Sequence, residues 1–254
     1  MVLEQLSKLT ENLPFIDKQE PEEHGIITKK PQHLAITMEG VLSFCSSHKQ
    51  DYGECCKHSF HVLKEVIMFQ ARTGIPIMTV HVLPEKMDKT TETYPKFLDS
   101  MASFLTALSV DELIHKNKIK VTIFGKWYDM PGKIIDPIKT MLEETKDYDS
   151  FFLNFCINYD GQEEIVDSCK LIARQVAAGR LMPDAVTKGI IKENCCSSYF
   201  IPPDLIVKTG LKTKITGVLL WDSVNATIYF TRKHWPELKQ SDMHKALKDF
   251  QSQV

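Results

Sequence analysis

The stretch from Lys208 to Thr216 is the part of the chain richest in groups that bind anions. Three ammonium groups and three hydroxyls follow a predicted strand closely: Lys208, Thr209, Lys212, Thr213, Lys214 and Thr216. A tight turn at Gly210 adds backbone amides, and such a set can hold a diphosphate. The spacing differs from that of a P-loop, G-x-x-x-x-G-K-[ST]. A solvated basic turn is therefore the alternative that these residues leave open.

Two further loops follow predicted buried strands and carry polar groups. The first is Glu39-Gly40, whose carboxylate could hold a metal, act as a base or cap the next segment. The second, N-Y-D-G at residues 158–161, has the residue types of a turn. A structural role is the alternative for both. Because ligands of open parallel sheets bind at the carboxyl ends of the strands, we expect all three loops to lie at one edge.

Apolar patterns of helical and strand type alternate along the chain. Predicted strands are residues 34–38, 75–83, 120–124, 151–157 and 205–207, and predicted helices are 55–73, 94–116, 131–144, 162–178 and 241–250. Two short apolar segments, 217–221 and 227–230, lie between the last strand and the last helix. The alternation predicts an α/β fold with a mainly parallel sheet. We expect a polar lead-in at 1–32 and a single domain at 33–254.

The composition excludes several classes of partner. There are 31 basic and 33 acidic residues, so no bulk field favours nucleic acid. The chain lacks an apolar run long enough for a membrane span.

Its seven cysteines include the adjacent pairs Cys55-Cys56 and Cys195-Cys196 but no C-x-x-C. We therefore expect free thiols, and a protein of the reducing cytoplasm.

Motifs spread along most of the chain resemble those of the cis-prenyltransferases, the family of undecaprenyl diphosphate synthase. H-L-A-I-T-M-E-G at 33–40 resembles H-x-A-I-I-M-D-G, and N-Y-D-G-Q at 158–162 resembles N-Y-G-G-R. P-D-L-I-V-K-T-G at 203–210 resembles P-D-L-x-I-R-T-G. L-L-W at 219–221, Y-F at 229–230 and W-P at 235–236 follow in the family's order.

The resemblance implies a six-stranded, mostly parallel sheet with flanking helices around an apolar tunnel, and a homodimer. It also implies a transferase of isoprenoid biosynthesis. The usual reaction joins isopentenyl diphosphate to an allylic diphosphate with a new cis double bond, and Mg²⁺ aids ionisation of the allylic partner.

The departures from the family pattern concern the chemistry. Glu39 stands where the family has the aspartate that serves Mg²⁺ and the allylic diphosphate, and Lys212 replaces the glutamate that completes the metal site. The phosphate-binding arginine of N-G-R-W-A is lost from residues 41–45. Lys212 puts a fixed cation where Mg²⁺ would sit, and it could pair with Glu39 or neutralise a diphosphate directly.

We therefore predict a divergent enzyme that binds prenyl diphosphates, with condensation or ionisation/cyclisation chemistry altered from cis chain elongation. It would be a prenyltransferase or a terpene-synthase-like lyase. The predicted catalytic residues are Glu39, Asn158 and Lys212, with Glu39 also the candidate metal ligand. The predicted substrate-binding residues are Gly40, Lys208, Thr209, Gly210, Lys214 and Thr216. The alternative is a non-catalytic isoprenoid-binding homologue or an accessory subunit of an active cis-prenyltransferase.

Overall fold

The computed structural model describes residues 29–84 and 88–253, and most of the predicted lead-in at 1–32 lies outside them. The strands are β1 (His33–Thr37), β2 (Ile77–Pro84), β3 (Ile119–Phe124), β4 (Phe151–Tyr159), β5 (Leu205–Lys208) and β6 (Thr227–Phe230). The helices are α1 (Val41–His48), α2 (Tyr52–Thr73), α3 (Thr93–Ser109), α4 (Glu112–Lys116), α5 (Gly132–Thr145), α6 (Gly161–Ala177), α7 (Lys188–Glu193) and α8 (Gln240–Gln253).

The six strands form one parallel sheet in the order β3-β4-β2-β1-β5-β6. The predicted α/β fold and its single sheet are confirmed. All nine residues of β4 are buried, as expected for a central parallel strand that is covered on both faces. The register places His81, within β2, beside Thr37 and Lys208, the last residues of β1 and β5. Residues in register share a face, so these three side chains lie on the same side of the sheet.

The larger apolar core packs between α2, α3, α5 and one face of the sheet. Where the apolar tunnel is expected, between α2, α3 and the sheet, the side chains leave no room for a water molecule. This region is lined by Phe60, Leu63, Val82, Met101, Phe104, Leu105, Phe155 and Ile157. The rings of Phe60 and Phe104 stack with their centroids 5.1 Å apart, so aromatic side chains fill much of this region.

Helix boundaries differ from the sequence prediction at two places. The helix expected at 94–116 is divided into α3 and α4, because the Asp111 side chain accepts from Leu113 N and starts a new helix. The short helices α1 and α7 were not predicted, and the apolar segment 217–221 is a turn rather than a strand. Within the described residues no helix has both the length and the apolar character that crossing a membrane requires.

Two of the seven cysteines are paired, which corrects the expectation that all are free thiols. Cys45 in α1 and Cys55 in α2 form a disulfide, with Cα atoms 6.1 Å apart. The remaining five cysteines are free. The spacing of the cysteines did not indicate this pairing, because the partner of Cys55 comes from the preceding helix.

Gly161, the first residue of α6, allows a close approach of two loops. A Cβ atom there would overlap with the carbonyl oxygen of Gly217 and would crowd Leu220. We expect Gly161→Ala to lower the free energy of unfolding by about 1–3 kcal/mol, because backbone must move to admit the methyl group. Gly132→Ala is the matched control, since nothing lies within 4 Å of that position. Urea denaturation of both variants tests this, and equal stabilities would contradict it.

Candidate active site

The carboxyl ends of β1 and β5 meet at the point where the strand order reverses. The chain leads from β1 to β2 on one side, whereas β5 lies on the other side of β1 and leads away to β6. In open α/β sheets the ligand crevice lies at such a switch point. The loops that begin at Glu39 and at Thr209 border this crevice, as the sequence predicts.

A buried ammonium group lies at the centre of the crevice. Lys208, the last residue of β5, is only 1% exposed. Its Nζ donates to Glu39 Oε1 and to Thr216 Oγ1, the latter at 2.6 Å. The Thr216 hydroxyl in turn donates to Glu39 Oε1 at 2.6 Å. The three side chains therefore form a closed polar cluster, here called the Lys208 cluster.

Burial and the charge of Glu39 have opposite effects on the pKa of Lys208. Burial lowers the pKa of Lys208, and the hydrogen bond and negative charge of Glu39 oppose that shift. The Glu39 side chain is 30% exposed, so water reaches the carboxylate more readily than the ammonium. A buried ammonium is costly unless an anion faces it, so Lys208 requires a counter-charge in every state of the protein.

Thr209, which is buried, and Gly210, which is partly exposed, join the two strand ends. Thr209 Oγ1 donates to Thr37 O at 2.6 Å and accepts from Glu39 N at 2.9 Å. Gly210 has φ 92° and packs against the Glu39 side chain. These contacts fix the separation of the β1 and β5 loops. Both residues lie where the sequence places them, and their contacts in this structure hold the site together.

Gly40 begins α1 with φ 87°, and no side chain caps the helix. The first amides of a helix have no intrahelical acceptor, and they attract anions when no side chain accepts from them. Glu39 directly precedes this terminus, so the Lys208 cluster and the start of α1 are neighbours. The predicted substrate-binding role of Gly40 stays a prediction.

Lys212 and Lys214 lie on the exposed part of the loop between Gly210 and Thr216. The ion pair that we considered between Lys212 and Glu39 is made by Lys208 instead. Lys208 reaches Glu39 from the adjacent strand end, and the Lys212 side chain is directed to solvent. Roles for Lys212 and Lys214 toward a ligand stay predictions.

Asn158 lies at the end of β4 and joins it to the end of β3. Its Nδ2 donates to Lys126 O at 2.9 Å, and Lys126 N donates to Asn158 O at 3.0 Å. The side chain is buried, and the residue has φ 51°. These contacts give the side chain a structural function on the β3 side of the sheet. Its predicted catalytic role is untested by this geometry.

Glu39 is the carboxylate of the Lys208 cluster and the predicted candidate ligand for Mg²⁺. The described residues contain no group of three or more His, Cys, Asp or Glu side chains placed to hold a metal ion. Mg²⁺ is usually held by one or two protein carboxylates together with substrate phosphates and water, so such a group is not required. Glu39 Oε1 accepts from Lys208 and Thr216, and the metal role of Glu39 stays a prediction.

Two histidines near the crevice escaped the sequence analysis. His81 lies within β2 and is 6% exposed, and its Nε2 forms no hydrogen bond within the described residues. His234 lies beside Gly40, and its buried Nδ1 likewise forms none there. The polar His81 within the apolar run 75–83 was a signal that could have identified it. Nothing in the local sequence marked His234.

Buried histidines make the stability of the fold sensitive to acid. Burial lowers the pKa of His33 and of His81 to about 4, against the raising effect of hydrogen bonds to the Ile201 and Tyr159 backbones. Between that value and the ordinary 6.5, the unfolded chain binds protons that the folded protein does not bind. Stability is therefore fully present above the ordinary value and is lost as the pH falls toward the folded value.

We expect the free energy of unfolding to decrease by about 1.4 kcal/mol per pH unit for each of these histidines within this window. His81→Gln should reduce the slope by the contribution of one proton. Urea denaturation at several pH values between 7 and 4.5 measures the slope. A variant slope equal to that of the unmodified protein would show that His81 titrates normally.

The fold defines a protein of the open parallel α/β class with a buried ammonium group where the carboxyl ends of β1 and β5 meet. The chain belongs to the family whose model is described as putative undecaprenyl diphosphate synthase, which matches residues 37–254. The resemblance to cis-prenyltransferases is thereby confirmed.

Relatives and a solved structure agree with this family. The chain is 29% identical to a tritrans,polycis-undecaprenyl-diphosphate synthase (geranylgeranyl-diphosphate specific) of Methanopyrus kandleri, over 87% of this chain and 82% of that protein. It is 26% identical to an isoprenyl transferase of Streptococcus thermophilus, over 89% and 92%. The lavandulyl diphosphate synthase of Lavandula x intermedia, solved with dimethylallyl diphosphate, superposes with a TM-score of 0.81 at 20% identity, covering 87% of this chain and 95% of that one. At that identity, the match supports the fold.

Proposed function

We propose that the protein is a divergent enzyme that binds a short prenyl diphosphate at the Lys208 cluster and uses ammonium groups to neutralise the departing diphosphate. The observation that carries this proposal is the buried Lys208 ammonium at the switch point of the sheet, faced by Glu39 and Thr216. A diphosphate offers this ammonium a stronger counter-charge than a single carboxylate does.

Binding would replace the counter-ion of Lys208. In this structure the counter-ion is the Glu39 carboxylate, and a bound diphosphate would take its place. Lys214 and Lys212 lie on the same exposed loop and would close over the anion from the solvent side. The uncapped start of α1 would face it from below. Glu39, 30% exposed, can turn toward water once Lys208 is engaged by the ligand.

The chemistry that suits this site is heterolysis of the allylic carbon–oxygen bond. The electron pair of that bond goes to the diphosphate oxygen, and a carbocation remains on the hydrocarbon. Ammonium groups and helix amides stabilise the charge that develops on the diphosphate. The double bond of a second prenyl diphosphate then forms a carbon–carbon bond to this carbocation, and the new carbocation loses a proton to the released diphosphate. Without a second substrate, the first carbocation loses its proton to the released diphosphate directly. A lysine stabilises the anion less than a dication would, so we expect slow turnover.

The packing of the apolar region favours a short hydrocarbon. The side chains between α2, α3 and the sheet leave no room for a water molecule, and the rings of Phe60 and Phe104 stack there with centroids 5.1 Å apart. A prenyl chain can enter only if these rings separate, and a longer chain requires more side chains to move. We therefore propose a five-carbon allylic substrate such as dimethylallyl diphosphate.

A non-catalytic isoprenoid-binding role is the second candidate. It is favoured by the closed hydrogen bonding of the Lys208 cluster, in which the ammonium, the carboxylate and the hydroxyl already bind one another. Such a homologue would bind prenyl diphosphates without forming products. Product analysis separates it from the proposed enzyme.

The homodimer and the cytoplasmic location also remain proposals. Val166 and Leu171 on α6, together with Tyr199, are exposed apolar side chains that a second subunit would cover. Five free cysteines suit a reducing compartment, whereas the Cys45–Cys55 pair does not.

We predict that the protein converts dimethylallyl diphosphate, alone or with isopentenyl diphosphate, and leaves C15 and C20 diphosphates unchanged. Purified protein incubated with C5, C10, C15 and C20 substrates, with Mg²⁺ or with EDTA, tests this by extraction and mass spectrometry of products. Activity should persist in EDTA. Lys208→Ala and Lys214→Ala should each abolish it, because each removes a charge that faces the leaving diphosphate.

Lys248→Ala, which changes an exposed lysine of α8, is the matched control and should retain activity. A strict Mg²⁺ requirement, or full activity of both loop variants, would contradict the proposed chemistry. Binding without any product would favour the non-catalytic alternative.

A further inference from the structure

His234 lies between the two loops that border the crevice. On one side, Gly210 N donates to the carbonyl oxygen of Lys233 at 2.5 Å. On the other side, Trp235 N donates to the carbonyl oxygen of Glu39 at 2.8 Å. The residue between these two bonds is therefore held between the β5 loop and the start of α1.

The imidazole of His234 lies directly against Gly40. A Cβ atom on Gly40 would overlap with His234 Nδ1, so the ring takes the space that a side chain would otherwise need. The ring of Phe44 in α1 meets the imidazole edge-on, with centroids 6.5 Å apart. His234 thus borders the backbone at which α1 begins, beside the Glu39 carboxylate.

The position of His234 is fixed by its neighbours in the chain. Trp235 is completely buried, and its Nε1 donates to Ser59 O at 2.8 Å. Pro236 O is bonded to His58 Nε2 at 3.0 Å. His234 N donates to Glu237 Oε2 at 2.9 Å. The imidazole is consequently held in place before any ligand arrives, which lowers the entropic cost of a contact with one.

The Nδ1 atom of His234 is buried and forms no hydrogen bond within the described residues. The Glu237 backbone N–H faces the side chain in a capping box but does not complete a hydrogen bond to it. An unpaired buried polar atom lowers stability, so such an atom at a crevice indicates a partner that arrives with the ligand. The neighbouring Lys233 does not supply that partner, because its Nζ is paired with Asp242 at 2.8 Å.

We propose that His234 is a diphosphate-binding residue that donates a hydrogen bond from Nδ1 to a phosphate oxygen held between Gly40 and Gly210. The inference rests on the proposed function, since it assumes that a diphosphate replaces Glu39 at Lys208. An anion entering there passes between the two loops that His234 joins, and it meets the imidazole beside Gly40. His234 then supplies a donor on the α1 side, where residues 41–45 contain no cationic side chain.

The test compares two substitutions of His234, Asn with a hydrogen-bond donor and Leu without one. The amide nitrogen of Asn occupies nearly the position of Nδ1 in His, whereas Leu has similar bulk and no donor. Calorimetric titration with inorganic diphosphate in EDTA should show affinity weakened about tenfold or more in His234→Leu. His234→Asn should bind within about threefold of the unmodified protein, because it restores the donor.

His58→Ala is the matched control. It removes the bond to Pro236 O, and with it a support of the same segment, but leaves the imidazole of His234 in place. This variant should bind inorganic diphosphate like the unmodified protein. If His58→Ala and His234→Leu weaken diphosphate binding equally, the loss of affinity comes from the 233–236 segment rather than from the imidazole. That result would overturn the inference. Nitrogen NMR of the imidazoles provides a second readout that needs no variant, because the His234 Nδ1 resonance should shift on addition of diphosphate.

The outcomes separate this inference from the proposed function. If Lys214→Ala weakens diphosphate binding and His234→Leu does not, the role of His234 is overturned and the proposed function stands. An unchanged Nδ1 resonance at saturating diphosphate would also overturn it. If the unmodified protein does not bind inorganic diphosphate at all, both proposals are wrong.

Discussion

The arrangement of this site depends on one requirement: a buried ammonium group must have a negatively charged partner. Lys208 ends β5 in the interior of the protein, where an unpaired cation would be strongly destabilising. Glu39 meets that need from the neighbouring strand, and Thr216 completes the hydrogen bonding. Because the pair joins β1 to the β5 loop, the same interaction closes the crevice in the absence of a ligand. In our account a diphosphate opens it by offering Lys208 a better partner.

The surrounding elements hold this exchange in a narrow space. Thr209 ties the ends of β1 and β5 through backbone groups of Thr37 and Glu39. The 233–235 segment bonds to both loops and is anchored in the core by Trp235. Because these contacts fix the two loops, the counter-charge of Lys208 can change without a change in the fold. Gly40 and Gly210, which both have positive φ, lie on either side of the cluster.

The sequence predicted the strands and the loops that follow them better than it predicted the side-chain contacts of the site. The strands and their carboxyl-end loops were evident because buried strands of a parallel sheet are continuous apolar runs, and family motifs fixed their order. Glu39, Gly40, Lys208 and Thr216 were correctly grouped for the same reason. The identity of the lysine that pairs with Glu39 could not be derived, because it depends on strand register. His234 was missed, since the bonds that bring it beside Gly40 involve backbone atoms far apart in the chain.

The most direct test of the central claim is the affinity of Glu39→Gln for inorganic diphosphate in EDTA, measured by calorimetric titration against the unmodified protein. If Glu39 competes with the ligand for Lys208, removal of its charge leaves the ammonium without a counter-ion, and the variant binds diphosphate more tightly. If Glu39 instead helps to hold the ligand, the variant binds more weakly or not at all, and the account of an exchanged counter-ion is wrong.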